Sequence, residues 1–373
     1  MTTRILALSA YHAQSHAQWL SGLERHIPGA DWTVLALPPR HFSWRLRGNS
    51  LSWAMLEREV LEGEYDLLLA TSMTDLSALR GLVPALTRIP NVVYFHENQF
   101  AYPQSDRQLA SVEPQILNLY TAVAADKVLF NSHYNRDTFM AGCDSLLARL
   151  PDYVPREQVA ERLAGSEVLP VGIEPQSASL RPPGERLSVL WNHRWEYDKG
   201  PQRLLALVEA CEAEGLPVDF SIVGQQFRRQ PPEFKAVQQC IERSQSLGLV
   251  NFGFVDDAEA YRRCLSQCDV VLSTAIHDFQ GLAVLEAVAS GCVPVVPDRL
   301  CYGEWFGEQF RYCGQQGGGE TASALQMLSR RWQQKRRRTL PECNIDGLYW
   351  ECLAPQYRSQ FDRALAEHKK SGR

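Results

Sequence analysis

Short apolar runs alternate with longer stretches of helical spacing along almost the whole chain. Ile5–Leu8, Thr33–Leu37, Leu67–Ala70, Val92–Phe95 and Val128–Phe130 are continuous apolar segments bounded by polar residues. Such runs, lacking the alternation of a half-solvated strand, suit parallel strands covered on both faces by helices. Between them, Ser15–Arg25 and Glu113–Ala125 repeat apolar residues at helical spacing. The pattern breaks at Leu169–Gly184, where Pro170, Pro175, Pro182, Pro183 and Gly184 crowd a stretch without periodicity and predict an interdomain linker. It then restarts. Val189–Trp191, Phe220–Val223, Val270–Leu272 and Val293–Val296 read as strands, and Leu204–Glu214, Glu233–Leu247 and Leu282–Ser290 as helices. The expected architecture is α/β, two Rossmann-like domains facing a central cleft. The first spans residues 1–175 and the second 185–350. A C-terminal helix over 351–373, with its clearest pattern from Leu353 to Lys370, can return to the first domain.

Composition narrows the class. Of the 373 residues, 45% are hydrophobic and 22% charged, enough to give each of two domains its own core. No stretch reaches the roughly 18 unbroken apolar residues of a spanning helix. The opening Met1–Ala10 is too brief and too weakly basic for a signal peptide and reads as the first strand. The ten cysteines form no C-x-x-C pair and no zinc spacing, which predicts reduced thiols in a cytoplasmic protein. Cys264 and Cys268 share a helix face and read as packing. Trp19 and Trp53 read as core or groove-lining residues. A net charge of −5 argues against bulk attraction to nucleic acid but leaves room for local basic patches.

The densest candidate chemistry lies in the second half. Trp-Asn-His-Arg-Trp-Glu-Tyr-Asp-Lys-Gly, residues 191–200, follows a predicted strand and precedes a helix, at the carboxyl end of the sheet where open α/β folds bind ligands. Arg194 and Lys199 are five apart in that loop, so both can converge on one anion such as a departing diphosphate. As an isolated pair they would more simply be solvated surface cations. His-Asp-Phe-Gln-Gly-Leu-Ala-Val-Leu-Glu-Ala, residues 277–287, changes the balance. Gly281 opens a helix whose first amides can hold phosphate oxygens. Asp278 stands before that helix and Glu286 within it. Read singly, these two would be a capping acid and an exposed helix glutamate. Phe279, Leu282 and Ala283 surround the turn, and Gly224 follows another strand end, so all join the expected donor site. No D-x-D pair occurs in the chain, so the carboxylate clamp for a nucleotide-bound divalent ion is missing. Arg194, Lys199 and the helix N-terminus can supply the positive field instead, and no metal or other cofactor is expected.

In the first half, His96, Glu97, Asn98 and Gln99 follow a strand and are candidates for binding an acceptor; a loop-closing polar cluster is the simpler alternative. Two basic clusters contain aromatics: Arg40, Trp44, Arg45 and Arg47, and the run from Arg330 to Arg338 with Trp332. Either can contact RNA phosphates and stack a splayed base, and the second is equally well a solvated helix face.

These blocks resemble glycosyltransferase family 4, retaining enzymes of GT-B fold, in the Arg…Lys loop and the acid-x7-Glu element. Tyr94–Pro103 (YFHENQFAYP), His193–Lys199 (HRWEYDK), Ser273–Val288, Leu37–Arg47 and Val128–Ser132 are more specifically similar to the tRNA-queuosine α-mannosyltransferases. The resemblance implies GDP-mannose as donor and the cyclopentenediol of queuosine, at the tRNA wobble position, as acceptor. It implies that Arg194 and Lys199 grip the diphosphate, Glu286 the ribose and Asp278 the transferred sugar. His96, with Ser15 and His16, would serve the acceptor side. The catalytic set would be His96, Arg194, Lys199 and Asp278, and tRNA would meet Arg40, Trp44, Arg45, Arg47, Arg336, Arg337 and Arg338. The chain departs from the family in having Asp278 where Glu is common, and Ala13-Gln14 where a Gly-Gly turn is common. A family 4 enzyme with another acceptor, glycan, lipid-linked or small, and a catalytically silent sugar-nucleotide or RNA-binding protein are the competing readings.

Overall fold

The computed structural model describes residues 2–102, 111–176, 184–314 and 318–370. It forms two compact units: Met1–Gly172 with Trp350–Arg373, and Ile173–Tyr349. Each unit is built on a six-stranded sheet whose registered pairs are all parallel.

The first sheet contains β1 (Thr3–Ser9), β2 (Ala30–Ala36), β3 (Leu67–Thr71), β4 (Asn91–Phe95), β5 (Lys127–Phe130) and β6 (Glu167–Val168), in the order β2-β1-β3-β4-β5-β6. The second contains β7 (Leu187–Trp191), β8 (Val218–Val223), β9 (Leu247–Gly253), β10 (Val270–Leu272), β11 (Val293–Pro297) and β12 (Arg311–Tyr312), in the order β12-β11-β10-β7-β8-β9. Both are doubly wound, as the alternating pattern predicts. The central strands are fully buried: every residue of β3, β4, β10 and β11 lies in the core. That is why their apolar runs show no alternation.

The order of each sheet reverses once. In the first sheet the reversal lies between β1 and β3, and in the second between β7 and β10. At such a point the connections from neighbouring strands leave in opposite directions and open a crevice beyond the strand ends. Residues after β1 and β3, and those after β7 and β10, are therefore the ones the topology presents to ligands.

The elements depart from expectation at the sheet edges. β2 spans Ala30–Ala36 instead of Thr33–Leu37, because pairing with β1 begins at Ala30 opposite Thr3. The helix expected over Glu233–Leu247 ends at Arg243. Ser244 Oγ then accepts the amides of Ser246 and Leu247, at 3.0 and 2.8 Å, and turns the chain into β9. The two-residue strands β6 and β12 are too short to produce a periodic signal. Of the expected linker, Leu169 still donates to the Phe130 carbonyl, and Ile173 donates to that of Leu348, both at 2.8 Å. Residues 177–183, with Pro182 and Pro183, and Pro103 lie outside the described residues.

The helix Trp350–Lys370 buries Trp350, Leu353, Tyr357, Phe361 and Ala364, one stripe at helical spacing, within the first unit. Trp19 Nε1 donates to Tyr357 Oη at 3.1 Å. Trp19 and Trp53 are core residues, all ten cysteines are unbridged, and Cys264 and Cys268 are buried. Among the described residues no helix is long and apolar enough to cross a membrane.

Candidate active site

In the second unit, residues 192–200 leave β7 and residues 273–281 leave β10, so both loops rise at the reversal of strand order. They are tied to each other. Ile276 and His277 donate their amides to the Asp198 carbonyl at 3.0 and 3.1 Å. Thr274 Oγ1 accepts from Trp191 Nε1 at 2.9 Å and donates to the Lys199 carbonyl at 2.9 Å. Arg299 braces the second loop by donating Nε to the Ala275 carbonyl at 2.9 Å, and its guanidinium is held in turn by buried Glu320. Gly224 directly follows β8 at φ +149°, and a Cβ there would collide with the His193 carbonyl oxygen, so only glycine lets the end of β8 close against this loop.

The structure brings the two predicted cations to one carboxylate. Arg194 Nη2 and Lys199 Nζ lie 3.6 and 3.3 Å from Asp198 Oδ2. Their settings differ. Lys199 has a side chain 9% exposed, donates to the His277 carbonyl at 2.8 Å and lies 3.7 Å from Asp278 Oδ2. Arg194 is 44% exposed and is also paired with Glu196 at 2.7 Å. Asp198, buried between the cations, had no distinct signal in the sequence, since an acid beside a lysine reads as a surface pair.

Asp278 and Gly281 share the second loop. Gly281 takes φ +75° and opens the helix Leu282–Ala289. Its amide donates to Asp278 Oδ1 at 3.2 Å. The first intrahelical bond runs from Leu285 to the Gly281 carbonyl. The amides of Leu282, Ala283 and Val284 therefore belong to the first turn, where no helical acceptor exists. Phe279 is buried behind this turn, and Glu286 lies half-buried one turn on. Asn192 Nδ2 donates to the Ala283 carbonyl at 2.7 Å and joins the start of this helix to β7. Burial works against ionisation of Asp278, but the Lys199 ammonium, His193, His277 and the Tyr302 hydroxyl together hold its pKa below the ordinary carboxylate value. Burial, reinforced by Lys199, pushes His193 and His277 down to about 4, so both rings are neutral at physiological pH. Tyr302, which donates to Asp278 Oδ2 at 3.1 Å, lies 24 residues away in sequence and belongs to no motif; only the fold brings it here.

In the first unit, His96 follows β4 and stacks on His16 from the helix Gln14–His26, with ring centroids 4.2 Å apart. Trp19 and Tyr94 meet His96 edge-on at 4.8 and 4.7 Å. Neither ring nitrogen of His96 has a hydrogen-bond partner among the described residues. Burial, then the neighbouring His16 and His12, holds the pKa of His96 well below the usual histidine value, and burial takes His16 to about 4. Ser15 is half-buried in the first turn of that helix. Asn98 is committed within the fold: Nδ2 donates to Asn135 Oδ1 and to Thr138 Oγ1, and Oδ1 accepts the amides of Phe100 and Ala101. It fixes the turn that carries Glu97, whose carbonyl accepts from Ser72 Oγ, and Gln99, whose amide donates to Asn118.

The basic clusters divide. Arg47 pairs with buried Asp75 at 2.9 Å and with Glu113. Arg40 is exposed, Arg45 is half-buried, and Trp44 is 53% exposed. In the helix Gly318–Arg336, Lys335 reaches Asp269 at 2.6 Å and Arg331 is buried over Phe310. Arg336, Arg337 and Arg338 are exposed, with Arg336 5.2 Å over the Trp332 ring.

Comparison with known proteins follows the two units. Residues 4–173 match a family model described as tRNA-queuosine alpha-mannosyltransferase N-terminal, and residues 173–324 one described as glycosyl transferases group 1. A Drosophila melanogaster protein named tRNA-queuosine alpha-mannosyltransferase is 29% identical over 379 residues, covering 98% of each chain. Among solved structures, Anabaena HepE in complex with UDP has a TM-score of 0.67 at 15% identity, covering 97% of this chain and 100% of its own. The catalytic domain of starch synthase IV from Arabidopsis thaliana, bound to ADP and acarbose, has a TM-score of 0.69 at 11% identity, covering 98% of this chain and 99% of its own. At those identities the structural likeness is one of fold.

Proposed function

Because the chain belongs to the tRNA-queuosine α-mannosyltransferase family of glycosyltransferases, we propose that it moves mannose from GDP-mannose to the cyclopentenediol of queuosine in tRNA, with retention of configuration. One observation carries the donor half of this reading. The Lys199 ammonium, the Asp278 carboxylate and the Gly281-opened helix turn meet at the strand reversal of the second sheet, with Nζ 3.7 Å from Oδ2 and the Gly281 amide 3.2 Å from Oδ1. A cation beside free amides suits a diphosphate, and an adjacent ionised acid suits the hydroxyls of the sugar attached to it.

In this reading the acceptor hydroxyl attacks the anomeric carbon from the face the diphosphate leaves. The bond to the phosphate oxygen breaks, GDP departs with the electron pair, and a leaving phosphate oxygen takes the hydroxyl proton. Lys199, Arg194 and the amides of residues 282–284 stabilise the charge that grows on the diphosphate. Asp278 holds the sugar and Glu286 the ribose. These groups take the place of a divalent ion, so turnover should persist in EDTA. On the acceptor side, His16 follows β1 at the corresponding reversal of the first sheet and stacks on His96, which follows β4, with Ser15, Glu97 and Gln99 close in sequence. Exposed Arg40, Trp44 and Arg336–Arg338 supply charge and a stacking surface for RNA. Ten unbridged thiols suit a reducing compartment such as the cytoplasm.

The test is incubation with GDP-mannose and queuosine-containing tRNA, followed by mass analysis of the nucleosides. The expected result is one hexose added to queuosine, with and without EDTA. GDP release with no hexose on tRNA would remove the tRNA acceptor, and transfer from a different sugar nucleotide alone would remove GDP-mannose.

A further inference from the structure

The two oxygens of Asp278 are held in different ways. Oδ1 accepts from the Gly281 amide at 3.2 Å, while Oδ2 accepts from the Tyr302 hydroxyl at 3.1 Å and faces Lys199 Nζ at 3.7 Å. Behind Tyr302 the contacts continue. Its hydroxyl lies 2.7 Å from Ser273 Oγ, which lies 3.0 Å from His193 Nε2 and 3.3 Å from the Ala275 amide. Tyr302, Ser273 and His193 are all buried.

Counting protons and lone pairs fixes the direction of this chain. An ionised Asp278 can only accept, so the Tyr302 hydroxyl donates to it. Burial and the Asp278 charge keep that phenol protonated. The Tyr302 oxygen then accepts from Ser273 and uses the single Ser273 hydroxyl hydrogen. Ser273 Oγ has two lone pairs left, one for the Ala275 amide and one for His193. His193 must therefore present a hydrogen on Nε2, the tautomer of a neutral ring whose other nitrogen is an acceptor.

We infer that Tyr302 and Ser273 are positioning residues for the transferred sugar: the directed chain His193 Nε2–H, Ser273 Oγ–H, Tyr302 Oη–H locks Asp278 Oδ2 and leaves the open lone pair of Oδ1 for a sugar hydroxyl. This rests on the reading of Asp278 as the sugar contact. It also gives the shorter acid at this position a fixed address that a free side chain would lack. Tyr302 packs its ring against Gly281, where a Cβ would stand 2.9 Å from Cε1, so Tyr302→Phe removes the hydroxyl and keeps the packing.

The experiment has two arms. In the first, calorimetry compares GDP and GDP-mannose on wild type, Tyr302→Phe and Ser273→Ala. The expected result is GDP affinity within about twofold of wild type and GDP-mannose affinity weakened about tenfold in both variants, the usual scale for one charge-assisted hydrogen bond. Equal weakening of both ligands means a merely structural role and overturns the inference, as does no weakening of either. In the second arm, nitrogen-15 NMR of histidine-labelled protein reads the tautomer of His193, assigned with His193→Asn. An Nε2–H ring supports the chain and an Nδ1–H ring overturns it. Wild-type protein that binds neither ligand overturns the donor reading, and the His193 tautomer still decides the hydrogen-bond chain separately.

Discussion

At the scale of single residues, Arg194 and Lys199 carry the same charge in different dielectric settings, so equal truncations have unequal costs. Arg194 is 44% exposed, and Asp198 keeps Lys199 as a partner when the guanidinium is removed. Arg194→Ala should melt within about 2 °C of wild type while kcat/KM falls by about 10²–10³-fold, the usual effect of deleting one transition-state donor. Kinetics and a thermal melt on the same preparation check this, and full activity would remove the guanidinium from the donor site. Lys199→Ala leaves Asp198 and Asp278 without their buried cation and should also cost about 3–5 kcal/mol of stability. The neutral buried histidines give a pH dependence. His16, His193 and His277 each titrate near 4 in the fold, against roughly 6.5 unfolded. Between those values the unfolded chain binds more protons, so stability rises with pH. It is complete above about pH 6.5 and is lost as pH falls through about 4, roughly 3 kcal/mol for each ring. The melting temperature should drop steadily from pH 7 to pH 5; a flat profile there would contradict the burial of these rings. Arg194, Lys199, Asp278 and Gly281 were legible because short charged or glycine-containing loops follow apolar runs. Asp198 and Tyr302 were not, since one resembles a surface pair and the other acts across 24 residues of chain.

At the scale of elements, legibility followed burial. β10, covered on both faces, falls on the residues its apolar run marks, Val270–Leu272. β9 carries the mixed sequence LGLVNFG on a sheet edge and was not marked as a strand, the expected helix running on to its first residue, Leu247, because edge strands are not required to be apolar throughout. The basic run shows the same limit in a helix. Its charges are uniform in sequence, but the fold assigns them different work. Lys335 neutralises Asp269, which is 2% exposed and also accepts the Ser188 amide at the start of the second sheet. Arg336, Arg337 and Arg338 face solvent. Lys335→Ala should therefore lower the melting temperature by several degrees through an unpaired buried carboxylate, with little change in the salt dependence of tRNA binding. Neutralising Arg336–Arg338 together should leave the melt unchanged and reduce the slope of log affinity against log salt by about 2–3. Filter binding across a salt series separates the two. An unchanged slope in the triple variant would make that face a solvated helix end and leave Arg40 and Arg45 as the RNA contacts.

At the scale of the whole molecule, the sequence order of the two units is not their structural order. The second unit is continuous from Ile173 to Tyr349, whereas the first is completed only by Trp350–Arg373. The helix Trp350–Lys370 is part of the first unit's core. The Trp350 indole lies against the α-carbons of Gly22 and Gly172, and the Tyr357 hydroxyl accepts from Trp19 and donates to the Pro170 carbonyl at 3.0 Å. Trp19 in turn stacks on Tyr94, which meets His96 edge-on. Removing the helix takes six buried apolar side chains from that unit and leaves the Trp19 indole nitrogen without its acceptor. At about 1.5–3 kcal/mol for each large side chain, the loss is comparable to the entire stability of a typical domain. The second unit loses none of its own contacts. A chain ending at Tyr349 should accordingly show a protease-resistant fragment near residues 173–349 and a digested N-terminal half. It should bind GDP within a few-fold of the full chain by calorimetry, and should transfer no mannose to tRNA. Loss of GDP binding in that truncated chain would mean that the second unit does not hold the nucleotide by itself. Persistence of an N-terminal fragment would mean that the first sheet closes its core without the last helix. The two readouts test the two units separately, because GDP binding reports on the proposed donor site at the strand reversal between β7 and β10, and the protease on the core beneath His96.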